Sequence, residues 1–315
     1  MTGSRFLRNL LVARVIAPED FGIGATFALM AALLNSVSEL GLDRKIIQDA
    51  DGDDPRMQNT VHSMFLLRGV LMSLLMLALA PHAARLFGAA DIAWAFRAVA
   101  ILPMLRSFRH TDVVRFQRKL RFGPVQASEV IAHISVTLVA WPLAKFLGDF
   151  SALLWLAIME AALATAFTHV FAERSYRLGW DVNRVRALIK FGWPLWLNGF
   201  LFFAIAQGDR AIVGSHVGLH ALGIFAIAAG LARIPMTTAA GIAGQLLLPL
   251  MAEVQSNQKK FERRFELVTQ LLWLIVGVLF VGIPIAGESL VRFLYGHDYA
   301  GAGIIAAWLA AVYGL

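Results

Sequence analysis

The sequence predicts an all-α fold, a polytopic transmembrane helical bundle. Three observations carry that prediction. Hydrophobic residues make up 58% of the 315 positions and charged residues only 16%, an apolar excess that soluble domains do not reach. Apolar runs of the roughly 20 residues needed to cross a bilayer recur along the whole chain. Basic residues, finally, crowd into alternate connections, as in a chain threaded back and forth through one membrane. A large soluble α-domain would need polar outer faces that these runs lack.

In chain order the complete or partial spans fall at 5–17, 18–41, 61–81, 88–107, 125–147, 150–171, 191–213, 219–250, 266–287 and 301–315. The first boundary is written in Pro18-Glu19-Asp20. A proline at the first helical position gives up no hydrogen bond, and the two carboxylates then sit where the helix dipole favours negative charge. Arg8, Asn9 and Arg14 interrupt the first run too often for a signal peptide. Pro194, Pro235, Pro249 and Pro284 fall in or beside later spans, where proline is expected to kink a helix.

The net charge of +7 raises nucleic acid as a partner, but its distribution excludes that reading. Eighteen Lys and Arg residues lie within 44–56, 106–121, 174–190 and 259–264, against Arg85, Lys145 and Arg292 on the alternate connections. Such a bias is topology: it places the Pro18 turn outside and 106–124 in the cytoplasm. The segment 106–122 mixes Phe108, Val113, Phe116 and Leu120 with basic residues. It suits an amphipathic stretch on anionic lipid or a solvated loop. The chain has no cysteine, which excludes disulfides and thiolate chemistry. It also lacks a phosphate-binding G-x-x-x-x-G-K-[ST] loop, so ATP is not its direct energy source.

Two echoes suggest an internal repeat. Ile16-Ala17 followed by Phe21-Gly22-Ile23 matches Val217-Gly218 followed by Leu222-Gly223-Ile224, and Leu86-Phe87-Gly88 matches Leu294-Tyr295-Gly296. Six spans separate the copies, which makes the repeat parallel. The expected lobes are 1–187 and 188–315. Carrying the repeat to its ends predicts a first helix that begins before Met1 and about two and a half spans beyond Leu315, so the second lobe is expected to be incomplete.

Gly3-Ser4-Arg5, ARVIAPEDFG (13–22), Glu39-Leu40-Gly41-Leu42, FGWPLWLN (191–198), DRAIVGSHVGLHALGIFAIA (209–228) and LLLPLMAE (246–253) stand in order along the chain. In that set the sequence resembles the polysaccharide-transport branch of the MOP superfamily, the flippases of undecaprenyl-diphosphate-linked oligosaccharides. The resemblance implies a MATE-like pair of six-helix lobes around a cavity that opens alternately to either side. It implies a multi-pass place in the bacterial inner membrane. The implied partners are a lipid-linked oligosaccharide, membrane lipids, and the polymerase and glycosyltransferase machinery of surface polysaccharide. No cofactor is implied, and a proton or Na+ is the expected coupling ion.

Ionisable residues within spans are costly unless they face a cavity or a partner. Arg14, Arg68, Arg97, Arg210 and Arg233 form the candidate cationic lining for a diphosphate, since arginine donates bidentate hydrogen bonds to phosphate. Arg97 and Arg233 lie nearest mid-span and are expected to face the interior cleft. Arg68 could instead snorkel to the interface, and Asp209 and Arg210 could reach headgroups or cap a helix. Glu39, Glu160 and Asp209 are the candidate charge partners; Glu160 either pairs with an arginine or carries a proton. His216 and His220 have metal-ligand spacing but no third ligand in view, so no metal site is expected. Gly214 and Gly218 fit a small-residue helix contact, although chance accounts for them among 26 glycines. An exporter of drug-like cations is the alternative function, but it would want mid-membrane carboxylates and few arginines. A membrane-embedded glycan polymerase or ligase would need long outer loops, and the outside connections are short.

Overall fold

A computed structural model describes residues 2–242 and 258–313, and all regular structure among them is helical. The helices are α1 (Thr2–Ala13), α2 (Pro18–Val37), α3 (Leu42–Gln48), α4 (Pro55–Leu86), α5 (Ala93–Ala98), α6 (Ile101–Ser107) and α7 (Asp112–Arg118). They continue with α8 (Phe122–Leu147), α9 (Ser151–Val170), α10 (Val182–Ile212), α11 (Leu219–Ala232), α12 (Ile234–Ile242), α13 (Gln258–Tyr295) and α14 (Ala302–Tyr313). Among the described residues seven helical stretches are long and apolar enough to cross a membrane. The chain divides into two compact units, Met1–Leu222 and Gly223–Leu315.

Local chemistry sets the helix ends. Pro18 opens α2 with Glu19 and Asp20 in its first turn. Asp54 caps α4 by accepting the Arg56 N–H at 2.8 Å, with Pro55 in the first helical position. Gly41 takes φ +60°, a left-handed backbone that glycine adopts without strain, and the Glu39 carboxylate holds its N–H at 2.9 Å.

Proline explains two breaks. The run 88–107 is not one helix: α5 stops at Ala98 and α6 starts at Ile101. Pro103 has no N–H to offer the Val99 carbonyl four residues earlier, and that carbonyl accepts the Leu102 N–H at 3.0 Å instead. Likewise α11 and α12 meet at Arg233, just before Pro235. Pro194 and Pro284 lie inside unbroken helices. Pro249, the LLLPLMAE stretch and the end of the span 219–250 lie outside the described residues.

The main core of the first unit joins α2, α4, α5, α6 and α9 around Phe27, Met76, Phe96 and Leu154. Phe27 meets Phe96 edge to face at 5.2 Å and Phe150 at 6.2 Å. A second apolar cluster, Leu42, Ile46, Met57, Val61, Phe65, Val114 and Leu188, fastens α3, α4, α7 and α10 together. Near the other end of the unit, Gly214 lets the backbone close on Phe87 and Leu222, where an added Cβ would stand 2.9 Å from each side chain. Gly214 is therefore a packing contact by itself, whereas Gly218 has open space around it and the two glycines do not act as a pair.

The two ends of the first unit match the threading read from the charges. The Asp20 carboxylate accepts the Phe150 N–H at 3.2 Å, joining the α1–α2 and α8–α9 turns. The basic connections meet in a different place, where Arg118 donates to the carbonyls of Ile46, Ile47, Asp49 and Ala50. The structure corrects the solvated-loop expectation for 106–122. Its centre is α7, with Val113, Val114, Arg115 and Phe116 buried, because the bonds of Asp112 described next anchor it to the loop after α9. Only its rim, such as Leu120 and Phe122, is exposed.

Candidate functional site

Two clusters of charge stand out in the first unit, and their geometry differs. The first gathers at the basic end. Asp112 is fully buried; its Oδ1 accepts from Arg115 Nε at 2.7 Å, and its Oδ2 from the amides of Glu173 at 2.8 Å and Arg174 at 2.7 Å. Burial opposes its charge, but these donors outweigh it and hold the carboxyl below the usual range. Arg115 also reaches Glu173 at 2.6 Å, and Arg121 meets the other Glu173 oxygen at 2.7 Å. Those two guanidiniums lower the pKa of Glu173. Arg174 bonds the Asp53 carbonyl at 2.8 Å and Gln58 at 3.0 Å, and Arg184 bonds Asp54 at 2.5 Å.

Inside this network sits an aromatic cage. His62 packs on Tyr176 at 4.2 Å and on His110 at 5.0 Å. His62 Nδ1 meets the Arg177 carbonyl at 3.0 Å while its Nε2 accepts the Thr111 N–H at 3.0 Å, an arrangement that requires the neutral ring. Burial pushes the pKa of His110 down and that of Tyr176 up.

The second cluster lies among α1, α6, α8 and α9. Glu160, at the middle of α9, forms ion pairs with Arg8 and, at 3.3 Å, with Arg5. The two arginines are three residues apart and share a face of α1. His133 of α8 brings Nδ1 to 3.7 Å from Glu160, and that nitrogen is buried with no hydrogen-bond partner. Arg106 of α6 faces the same carboxylate. Arg5 and Arg106 are exposed, whereas the Glu160 side chain is only 14% exposed. Glu129 lies one turn from His133 on α8. Three guanidiniums thus outnumber two carboxylates.

The structure scatters most of the residues singled out from sequence. Arg14 lies exposed in the α1–α2 turn, outside any helix. Arg68 is brought near Glu39 and Asp43: it reaches the Ser38 carbonyl at 3.4 Å and covers the Phe65 ring at 5.3 Å. Arg97 is exposed on α5. Asp209 and Arg210 are half-buried at the end of α10, where Asp209 accepts the Arg210 N–H at 2.7 Å and Arg210 reaches Gln207 at 3.2 Å. A five-residue π-turn, Val213–Val217, follows them. His216 bonds the neighbouring Ser215 hydroxyl at 2.9 Å. Arg233 belongs to the second unit, half-buried at the α11–α12 break, and its carbonyl accepts from Thr237. Of the candidate residues, then, Arg68 is brought near Glu39, Asp209 and Arg210 are joined as chain neighbours, and Glu160 finds its partners in residues outside the candidate set.

Those partners are Arg5, Arg8, Arg106 and His133. His133 carried a readable signal, a titratable residue deep in an apolar run. Arg5 and Arg8 did so more weakly, as an i, i+3 pair of arginines on one partial span. In the second unit the basic end of α13 lines an open pocket of about 380 Å³ with Lys260, Arg263, Arg264, Leu267 and Val268.

Comparison with known proteins places the chain. The family model described as "Polysaccharide biosynthesis protein" matches residues 11–303. The succinoglycan biosynthesis transport protein ExoT of Rhizobium meliloti (strain 1021) is 21% identical over 99% of this chain and 63% of its own length. The lipopolysaccharide biosynthesis protein WzxC of Escherichia coli (strain K12) is 20% identical over 94% of this chain and 61% of its own. The teichuronic acid biosynthesis protein TuaB of Bacillus subtilis (strain 168) is 21% identical over 88% and 56%. The chain therefore spans less than two thirds of the length of these relatives. A solved inward-facing structure of a multidrug resistance MATE family transporter of the MOP superfamily has the same fold, with TM-score 0.72 at 12% identity over 98% of this chain and 76% of that one. The apolar helices and these relatives make the chain a multi-pass protein of a bacterial inner membrane, and it belongs to the polysaccharide biosynthesis protein family.

Proposed function

We propose that the chain carries an undecaprenyl-diphosphate-linked oligosaccharide across the inner membrane for surface polysaccharide assembly, as a transporter and not as an enzyme. Two lobes, 1–187 and 188–315, alternate access to the substrate, and a proton or Na+ gradient drives the cycle. The polymerase and glycosyltransferases of the same polysaccharide are its working partners. The observation that carries this reading is the surplus of guanidinium groups around Glu160. Arg5 and Arg8 already pair with a carboxylate and Arg106 lies within Coulombic reach of it, and a diphosphate diester is an anion that arginine binds in bidentate fashion. A drug-like cation would meet repulsion there. Arg97 and Arg233 remain proposed contributors along the substrate path.

The test is surface-glycan production with variants at the native locus, normalised to the amount of membrane-embedded protein. Arg8→Ala and Arg106→Ala are expected to lose the glycan, while Arg106→Lys retains part of it because charge survives without the fork geometry. Normal glycan from both alanine variants would contradict the proposal.

A further inference from the structure

We propose that Glu160 is a built-in competitor for the substrate's diphosphate, and that His133 takes up a proton when the diphosphate displaces it. The inference rests on the transport reading above. In the structure Glu160 occupies the donors of Arg8 and Arg5, much as a bound phosphate would. An incoming diphosphate offers the same guanidiniums more charge and better geometry. Once they turn to it, Glu160 is a mostly buried carboxylate without its cations, a costly arrangement.

His133 is placed to answer that loss. It is 6% exposed, and its Nδ1 has no hydrogen-bond partner and lies 3.7 Å from Glu160 Oε1. The charges that face it are Arg5 and Arg8 from α1, Glu129 from its own helix and Glu160 from α9; Arg106 from α6 faces Glu160. The arginines oppose a charged His133, and the carboxylates favour it. Binding of a diphosphate neutralises the first pair and frees Glu160, so both changes act in the same direction. One proton from solvent adds to Nδ1, no covalent bond breaks, and the imidazolium pairs with Glu160. Anion binding and protonation therefore reinforce each other.

The experiment is calorimetric titration of the purified chain in nanodiscs with a P1,P2-dialkyl diphosphate, a diester with no group that titrates near neutrality. Two buffers of different ionisation enthalpy at pH 7 count the protons taken up. The expected result is uptake of about one proton per diester bound. His133→Asn should bind the diester without that uptake, and Glu160→Gln should bind it about tenfold more tightly than the unaltered chain at pH 8. Binding without proton uptake, uptake that survives in His133→Asn, or weaker binding by Glu160→Gln would overturn the inference and leave the anion site standing. No binding by the unaltered chain would overturn the anion site and this inference together.

Discussion

Asp112 and Glu160 are both carboxylates set among arginines, yet one is saturated and the other is contested. Every hydrogen bond Asp112 accepts comes from a fixed group: the Arg115 side chain and two backbone amides. Arg115 in turn is divided between Asp112 and Glu173, and the neighbouring arginines each have an acid or a carbonyl of their own. The acids and guanidiniums of that network are taken up by one another, and what is left without a hydrogen-bond partner beside them is uncharged: Gln58 Nε2, His110 Nε2 and the Tyr176 hydroxyl. Around Glu160, by contrast, Arg5 and Arg8 pair with one carboxylate and Arg106 adds its charge nearby, Arg5 and Arg106 are exposed, and the partnerless nitrogen of His133 lies 3.7 Å from that carboxylate. The lesson is that arginine count alone does not mark a site in this chain. The basic end of the first unit holds more arginines, but Arg115, Arg121, Arg174 and Arg184 are each matched by an acid there, and matched charge builds structure.

The largest effect expected from breaking the comparison is at Asp112. Asp112→Ala strands the buried Arg115 and two amides, and removing one partner of a buried ion pair costs about 3–5 kcal/mol. Thermal unfolding of the purified protein should show a large loss, while diester affinity per folded molecule stays unchanged. A middle-sized effect follows from pH. His110 has its folded-state pKa pushed down by burial, so the unfolded chain binds the extra proton and stability falls as pH drops below the unfolded value of about 6.5. Asp112 is also lowered; its contribution is full above about 3.9 and is lost as pH falls through its depressed folded value. Unfolding followed from pH 7 to pH 4 should thus show stability declining from mild acidity onward. Stability that rises over that range would break the assignment. The smallest effect belongs to Glu173→Gln. That carboxylate is exposed, so its two arginine contacts are screened by water and salt. Its loss should shift the unfolding temperature only slightly, and the shift should vanish at high salt.

Much of the fold was legible in the sequence because it depends on local pattern. Apolar run length gave the helices of both units, Pro18 gave a helix start, and Pro235 a break. The division of 88–107 into α5 and α6 was missed although Pro103 is plain in the sequence, since composition alone made that run look continuous. The burial of α7 was missed for a different reason: its polar anchor, Asp112, is satisfied by residues about sixty positions away. The site was less legible still. Glu160 was singled out as an intramembrane carboxylate, but its partners Arg5 and Arg8 lie more than 150 positions earlier. Sequence spacing carries no record of such a contact. Arg97 drew notice by its depth in an apolar run, yet the break beside it leaves it exposed on a two-turn helix.

The most direct measurement neutralises the carboxylate of each cluster without changing its shape. Asp112→Asn and Glu160→Gln are expressed side by side, and two quantities are read for each: the amount of folded protein in the membrane, and the affinity per folded molecule for a P1,P2-dialkyl diphosphate. The account predicts that Asp112→Asn lowers the folded amount and leaves affinity unchanged, whereas Glu160→Gln keeps the folded amount and tightens binding. If Glu160→Gln instead loses folded protein as Asp112→Asn does, with affinity unaltered, then Glu160 is one more matched charge and the account is wrong.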